Sequence, residues 1–204
     1  AILPDVLQPG AWVLDVGANV GHYTKRFSDL VGPHGRVVAF EPVPETFAIL
    51  AANSREFEHE NVTLINAAAS DSLNTVAMSI PRFDTGLDNF YMAHIESGPH
   101  IESGHAEAGD PSGLSVLSLP VDALGMGDEV ALVKIDAEGH EASVLEGMQG
   151  FLERAKPVLI VETESEGVIA QLTAKGYDAD RLDGSPNVLF TPNGPAQRAE
   201  SLLL

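Results

Sequence analysis

Four segments of this chain, WVLDV, VVAF, VALVKI and VLIV, are apolar at consecutive positions rather than alternate ones. A strand reads this way when both of its faces are covered, as in a parallel sheet with helices packed on either side. Stretches with helical spacing lie between these runs, so the chain opens as strand 11–16, helix 20–30, strand 36–40, helix 45–53 and strand 62–67. After Asp71 the alternation breaks into two β-like runs, 75–80 and 114–121, separated by a long polar segment. It resumes with a strand at 130–135, a helix at 141–154, a strand at 158–161 and a helix at 166–175. Two last β-like runs, 177–182 and 187–190, flank LDGSPN, a turn-rich hairpin signal. No helical segment is read before the first strand. The fold class expected is α/β, a doubly wound and mostly parallel sheet.

Open sheets of this kind take ligands outside the carboxyl ends of their strands, so the residues after each strand are the candidates for function. The first end reads Asp15-Val16-Gly17-Ala18-Asn19-Val20-Gly21 and leads into a helix whose free N–H groups favour a negatively charged ligand group. Gly17 permits close approach of a ligand to the backbone, or meets only the needs of a tight turn, and both readings stand. The spacing is G-x-x-x-G rather than the G-x-G-x-x-G of a pyrophosphate loop, which favours a smaller ligand with a carboxylate over a nicotinamide or flavin. The second end supplies Glu41 and Pro42. Glu41 lies 20 residues after Gly21, the offset at which an acidic residue in such folds accepts hydrogen bonds from ribose hydroxyls. An exposed glutamate before a helix start is the alternative.

The third end, Asn66-Ala67-Ala68-Ala69-Ser70-Asp71, leaves room for a flat purine with Ser70 or Asp71 bonding its exocyclic nitrogen, and reads equally as a routine turn. The fourth, Lys134-Ile135-Asp136-Ala137-Glu138-Gly139-His140-Glu141, packs five ionisable side chains into eight positions. Lys134 and Asp136 share a strand face, so an ion pair is expected between them, catalytic or architectural. Glu138 and His140 fall in the loop or first helical turn, where either can take a proton from a nucleophile.

DVGANVGHYT, AFEPVPETFAILAAN, AAASD and KIDAEGHEASVLEGM, in that order, resemble the FkbM-type family of S-adenosylmethionine-dependent methyltransferases. The resemblance runs from about Trp12 to Glu162. It implies the seven-stranded class I methyltransferase sheet, Rossmann-like, with an antiparallel last strand in keeping with the hairpin at 177–190. It implies S-adenosyl-L-methionine as cofactor and methyl transfer mainly to hydroxyls of sugars and natural products. On this sequence it sets the methionine moiety against Gly17 to Gly21 with Tyr23 and Thr24 nearby, and the ribose on Glu41. Adenine falls between Pro42 or Val43 and the loop from Ala67 to Asp71, and Asp136 closes the site near the amino group or the methyl. By the same resemblance Asp15, Asn19, Ala68 and Ser70 belong to the cofactor set.

The 204 residues, 44% hydrophobic, suit one domain, 1–204. No apolar run approaches a membrane span. Having no Cys, the chain offers no disulfide framework, thiolate zinc site or thiol nucleophile, and a cytoplasmic location is expected. With 30 Asp plus Glu against 11 Lys plus Arg, its net charge of -19 repels phosphate backbones and anionic membranes. Neither nucleic acid nor a membrane is therefore an expected partner; a small-molecule hydroxyl acceptor is, and a homodimer is left open. The start AILPDVLQPG lacks the features of a signal peptide and an initiator Met, and a trimmed amino-terminal extension is expected.

From about 83 to 113 a polar insertion departs from the family pattern, and within it HIESGP is followed directly by HIESGH. His94, His100 and His105 alternate with Glu96, Glu102 and Glu107, which reads as a mobile substrate lid, a metal tract or an insertion without function. Phe90, Tyr91 and Met92 offer the substrate an apolar wall or anchor the loop. A hydroxyl nucleophile needs a base, and His140 is the leading candidate, ahead of Glu138 and Asp136, with Lys134 holding Asp136. Two rivals are kept: a divalent-metal-dependent methyltransferase using Asp136, Glu138 and a lid histidine, and a catalytically silent cofactor-binding module. A nicotinamide oxidoreductase ranks third.

Overall fold

The structure is a computed structural model, and it describes residues 3–81, 93–95 and 114–194. The consecutive apolar positions that define the strands divide between two cores. In β1 (Trp12–Val16), Val13 packs on one face of the sheet and Leu14 on the other. Val37 and Val38 of β2 (Arg36–Phe40), Leu132 and Val133 of β8 (Val130–Ile135), and Val158 and Leu159 of β9 (Val158–Glu162) divide in the same way. One core takes Phe27 and Val31 from α2 (His22–Val31). The other takes Val144 and Leu145 from α4 (Glu141–Glu146), Phe151 and Leu152 from α5 (Gln149–Ala155), and Val168 and Leu172 from α6 (Glu166–Ala174).

With β3 (Val62–Ile65), β10 (Tyr177–Arg181) and β11 (Asn187–Pro192), these strands form a seven-stranded sheet in the order β10-β11-β9-β8-β1-β2-β3. All pairings are parallel except those of β11, which runs antiparallel to both β9 and β10. Strand order reverses between β1 and β8, and the crevice above such a reversal is where an open sheet binds its ligands. The helix α3 (Pro44–Ser54) crosses between β2 and β3 with Leu50 buried against Ala18 and Ala39.

Three features go beyond the sequence reading or differ from it. The runs after Asp71 do not extend the main sheet. β5 (Asn74–Ser79) and β7 (Leu114–Leu119) pair antiparallel in a second sheet with order β4-β7-β5-β6, where β4 is Ala68–Ala69 and β6 is His94–Ile95. This sheet has an apolar core of Val43, Ala68, Met78, Ile80 and Val116, while Ala69 of β4 and Leu119 of β7 pack against the core of the larger sheet. Secondly, the single helix expected at 141–154 is two. A Cβ at Gly147 would overlap the Ser70 carbonyl oxygen, so the chain turns there. The Asp122 carboxylate then accepts the N–H groups of Gly150 (2.9 Å) and Phe151 (2.6 Å), starting α5 afresh. Finally, a one-turn helix, α1 (Leu3–Val6), does precede β1, with Leu7 buried behind it. No helix among the described residues is long and apolar enough to cross a membrane. Most of the insertion, including Phe90 to Met92, Glu96, His100, Glu102, His105 and Glu107, lies outside the described residues, as does the terminal QRAESLLL.

Candidate functional site

The ends of β1, β2 and β8 open into a cleft at the strand-order reversal. Its floor is Val16, Gly17 and Phe40; one wall is Glu41, Pro42 and Val43, and the other Asp136, Ala137, Glu138 and His140. Ala68 and Ala69 of β4, and Met78, Ala93, His94 and Ile95 of the small sheet, complete it. Of the residues singled out in the sequence, Gly17, Asn19, Glu41, Pro42, Ala68, Asp136, Glu138 and His140 therefore meet at one place.

The others sit around it. Asp15 is wholly buried beneath the cleft, where the Thr24 hydroxyl donates to its Oδ2 at 2.6 Å and its Oδ1 has no hydrogen-bond partner among the described residues. Gly21 starts α2 with φ +96° and packs against Leu50. Tyr23 is exposed, its ring centroid 4.9 Å from Lys134 Nζ. Ser70 is buried and hydrogen-bonded to His140, and Asp71 is exposed beside Ser72.

Gly17 is dictated by the protein itself. Its φ is +76°, and a Cβ there would overlap the carbonyl oxygen of Asp136, so β1 and β8 close on each other at the cleft floor. Asn19, also at positive φ (51°), lends its backbone N–H to Glu41 Oε2 at 2.9 Å, while the Val43 N–H reaches Glu41 Oε1 at 2.9 Å. Two N–H donors thus aim a buried carboxylate, and each of its oxygens retains accepting capacity. Burial is the stronger influence and pushes the Glu41 carboxyl up to about 7, against the two N–H bonds that favour its ionised form.

A raised carboxyl makes a signed stability prediction. The folded state holds the proton more tightly than the unfolded one, so this contribution is present below the ordinary carboxyl range and lost as pH rises through about 7. Between pH 4.5 and 8 the stability advantage of wild type over Glu41→Gln is expected to shrink by about 2–3 kcal/mol. Urea unfolding of both proteins across that range measures it; an unchanged difference would contradict the assignment.

Lys134, buried to 3% exposure, donates to Asp136 Oδ2 at 2.9 Å, so the expected ion pair is present. Lys134 is also the register neighbour of Asp15 and draws that carboxyl downward, against the burial that raises it. Glu138 takes positive φ (48°) and is pushed up first by burial, then by Asp136, Glu162 and Glu141. His140 stands at the N-cap of α4 with Nε2 at 2.9 Å from Ser70 Oγ, and burial lowers its pKa, keeping the imidazole neutral near pH 7.

A second cleft adjoins the first and shares Asp136 and Glu138 with it. Glu141, Glu162, Thr163, Glu164 and Ser165 line it, so five carboxylates face one space. Sequence reasoning stopped at the fourth strand end and missed this one, although Glu162 to Ser165 follow VLIV as directly as Glu41 follows VVAF. Met78, Ala93 and Ile95 were missed because the small sheet has no signal in the strand-end rule. Among the described residues no cluster of three or more His, Asp or Glu is arranged to hold a metal.

The chain matches the Methyltransferase FkbM domain over residues 15–179. It is 28% identical to the hexuronic acid methyltransferase AglP of Haloferax volcanii over 72% of this chain and 53% of that protein. It is 26% identical to the 31-O-demethyl-FK506 methyltransferase FkbM of Streptomyces tacrolimicus over 82% of this chain and 71% of that one. The crystal structure of methyltransferase FkbM from Methylobacillus flagellatus KT superposes with a TM-score of 0.61 at 16% identity, covering 92% of this chain and 50% of that chain. The chain thus spans about half the length of two of these three proteins. The sheet order, with its antiparallel β11, is that of the class I methyltransferases expected from the sequence. Because the match covers most of its length on this sheet, the chain belongs to the FkbM methyltransferase family.

Proposed function

We propose that the protein is an S-adenosylmethionine-dependent O-methyltransferase acting on a hydroxyl of a sugar, natural product or other small molecule. The observation that carries this reading is the meeting of two clefts at Asp136 and Glu138, one beside the buried Glu41 and one open to an acceptor. The residues present suit the cofactor. Glu41 faces the first cleft with free accepting capacity for ribose hydroxyls, and Pro42, Val43, Ala68 and Ala69 give adenine apolar surfaces. The carboxylates of Glu41, Asp136 and Glu138 favour a ligand bearing an ammonium and a sulfonium over one bearing a pyrophosphate. When bound, S-adenosylmethionine supplies a methyl group on positively charged sulfur, an electrophile that chiefly needs a nucleophile held in line with it.

The chain's own residues do the rest. Lys134 fixes Asp136 at the cleft wall, where its carboxylate would hold the cofactor's amino group. Glu138, common to both clefts, accepts a hydrogen bond from the acceptor hydroxyl and orients it. His140 is neutral, and its Nδ1 has no hydrogen-bond partner among the described residues, so it receives the hydroxyl proton. The carboxylates of the second cleft favour neutral or cationic acceptors over uronic acids, a difference in substrate from AglP as that protein is named.

His140→Ala is expected to lower turnover about 100-fold while cofactor affinity changes little. Steady-state kinetics on neutral and anionic sugars and polyols, beside calorimetry with S-adenosylhomocysteine, measure both. Normal turnover in the variant would remove His140 from the mechanism.

A further inference from the structure

Ser70 occupies an unusual position for a residue first read as an adenine contact. Two backbone restraints hold it: its N–H donates to the Leu119 carbonyl at 3.0 Å, and its own carbonyl oxygen lies against Gly147, where a Cβ would not fit. Its side chain is buried, and its Oγ lies 2.9 Å from His140 Nε2 and 3.3 Å from Asp71 Oδ1. Asp71 Oδ1 also accepts the Ser72 hydroxyl at 2.9 Å. Those two hydroxyls hold the exposed Asp71 carboxyl below its ordinary range, so it is charged at neutral pH.

A serine hydroxyl has one proton and two lone pairs, so Ser70 can donate to Asp71 or to His140 but not to both. Asp71 Oδ1 lies farther from Ser70 Oγ than His140 Nε2 does, but it is the charged acceptor of the two, and the hydroxyl proton is directed to the charge. The hydroxyl then turns its lone pairs toward His140, and the imidazole must supply the proton between them from Nε2. We propose that Ser70 and Asp71 are positioning residues that hold His140 as its Nε2-protonated tautomer, leaving Nδ1 as the proton acceptor in the cleft. The catalytic half of this proposal rests on the reading of His140 as the base; the tautomer does not.

In the reaction the acceptor O–H bond breaks, its proton passing to Nδ1 and its electron pair staying on oxygen to form the new O–C bond; the methyl group would come from the bound sulfonium, whose S–C electron pair would stay on sulfur as the neutral thioether leaves. The imidazole becomes a cation whose Nε2–H remains directed through Ser70 to the Asp71 carboxylate. Asp71 and Glu141 are the charged groups that act on His140, both favouring the cation, against the burial that disfavours it.

The test is two-bond nitrogen–proton NMR of the 15N-labelled full chain, with the His140 ring assigned by its absence in His140→Asn. Wild type is expected to show Nε2 protonated and Nδ1 bare. Ser70→Ala and the surface variant Asp71→Asn are each expected to raise the Nδ1-protonated fraction, and Ser70→Thr to restore the wild-type pattern. Turnover is expected to fall about 10-fold in Ser70→Ala, with acceptor KM little changed and the acidic limb of the pH–rate profile displaced. An Nδ1-protonated His140 in wild type, or a tautomer indifferent to both Ser70→Ala and Asp71→Asn, would overturn the proposal. If the tautomer behaves as stated while His140→Ala turns over normally, only the catalytic half fails, so the two failures are told apart.

Discussion

Gly17→Ala is expected to abolish cofactor binding and to destabilise the fold by about 4 kcal/mol. Two effects add. The residue sits at φ +76°, where a side chain is strained by about 1–2 kcal/mol. The new Cβ would also overlap the Asp136 carbonyl oxygen, and that atom cannot yield freely because the Asp136 N–H is bonded to the Val16 carbonyl at 3.1 Å. Relief requires β1 and β8 to part at the cleft floor, which moves Asp136 and Glu138 away from Glu41. Chemical unfolding and S-adenosylhomocysteine calorimetry measure the two consequences. Wild-type affinity in a folded variant would show that the closure between Gly17 and Asp136 does not shape the site. Gly10→Ala, at positive φ (+91°) but with no atom near its Cβ position, is the control for backbone strain alone.

Lys134→Met carries the second large effect, a loss of about 3–4 kcal/mol. Methionine nearly matches lysine in length, so what is removed is the charge. Lys134 is buried between a wholly buried Asp15, its register neighbour, and Asp136, its ion-pair partner. Without the ammonium, the buried Asp15 carboxylate stays desolvated with no cation beside it and is repelled by the part-exposed Asp136, and removing one partner of a buried arrangement is more damaging than replacing the whole of it. The sign with pH follows. Loss of the cation raises the Asp15 carboxyl further in the folded state, so the penalty is greatest at neutral pH and shrinks under acid as that group protonates. Adding Asp15→Asn should recover part of the stability, because the orphaned charge is gone. A defect independent of pH and unrelieved by that second change would mean that Lys134 acts through packing.

The main sheet was legible because its signal is local and redundant. Consecutive apolar residues such as Val37-Val38 and Leu132-Val133 can be buried only between two layers, and the turn in LDGSPN announced the hairpin of β10 and β11. Glu41 and Asp136 were legible for a related reason, since a strand that ends in the cleft delivers its next residue there. What stayed hidden depends on contacts distant in sequence. The break between α4 and α5 is made by Ser70 and Asp122, and no pattern within 141–154 encodes it. Ser70 meets His140 across 70 positions. Asp15 was read as part of a ligand turn, yet strand alternation turns it under the sheet toward Thr24, while the cleft above takes Val16 and Gly17. The small sheet came as two unassigned β runs because its partner strands, β4 and β6, are two residues each.

The central claim is that the cleft beside Glu41 is a nucleoside-sulfonium site and not a dinucleotide site. Calorimetric titration of the full chain with S-adenosylhomocysteine, beside Glu41→Gln and a matched titration with NAD, tests it most directly. The account predicts micromolar binding of S-adenosylhomocysteine, weakened about 10-fold or more by Glu41→Gln, and no binding of NAD. Tight binding of NAD, or S-adenosylhomocysteine affinity untouched by the Glu41 substitution, would contradict it.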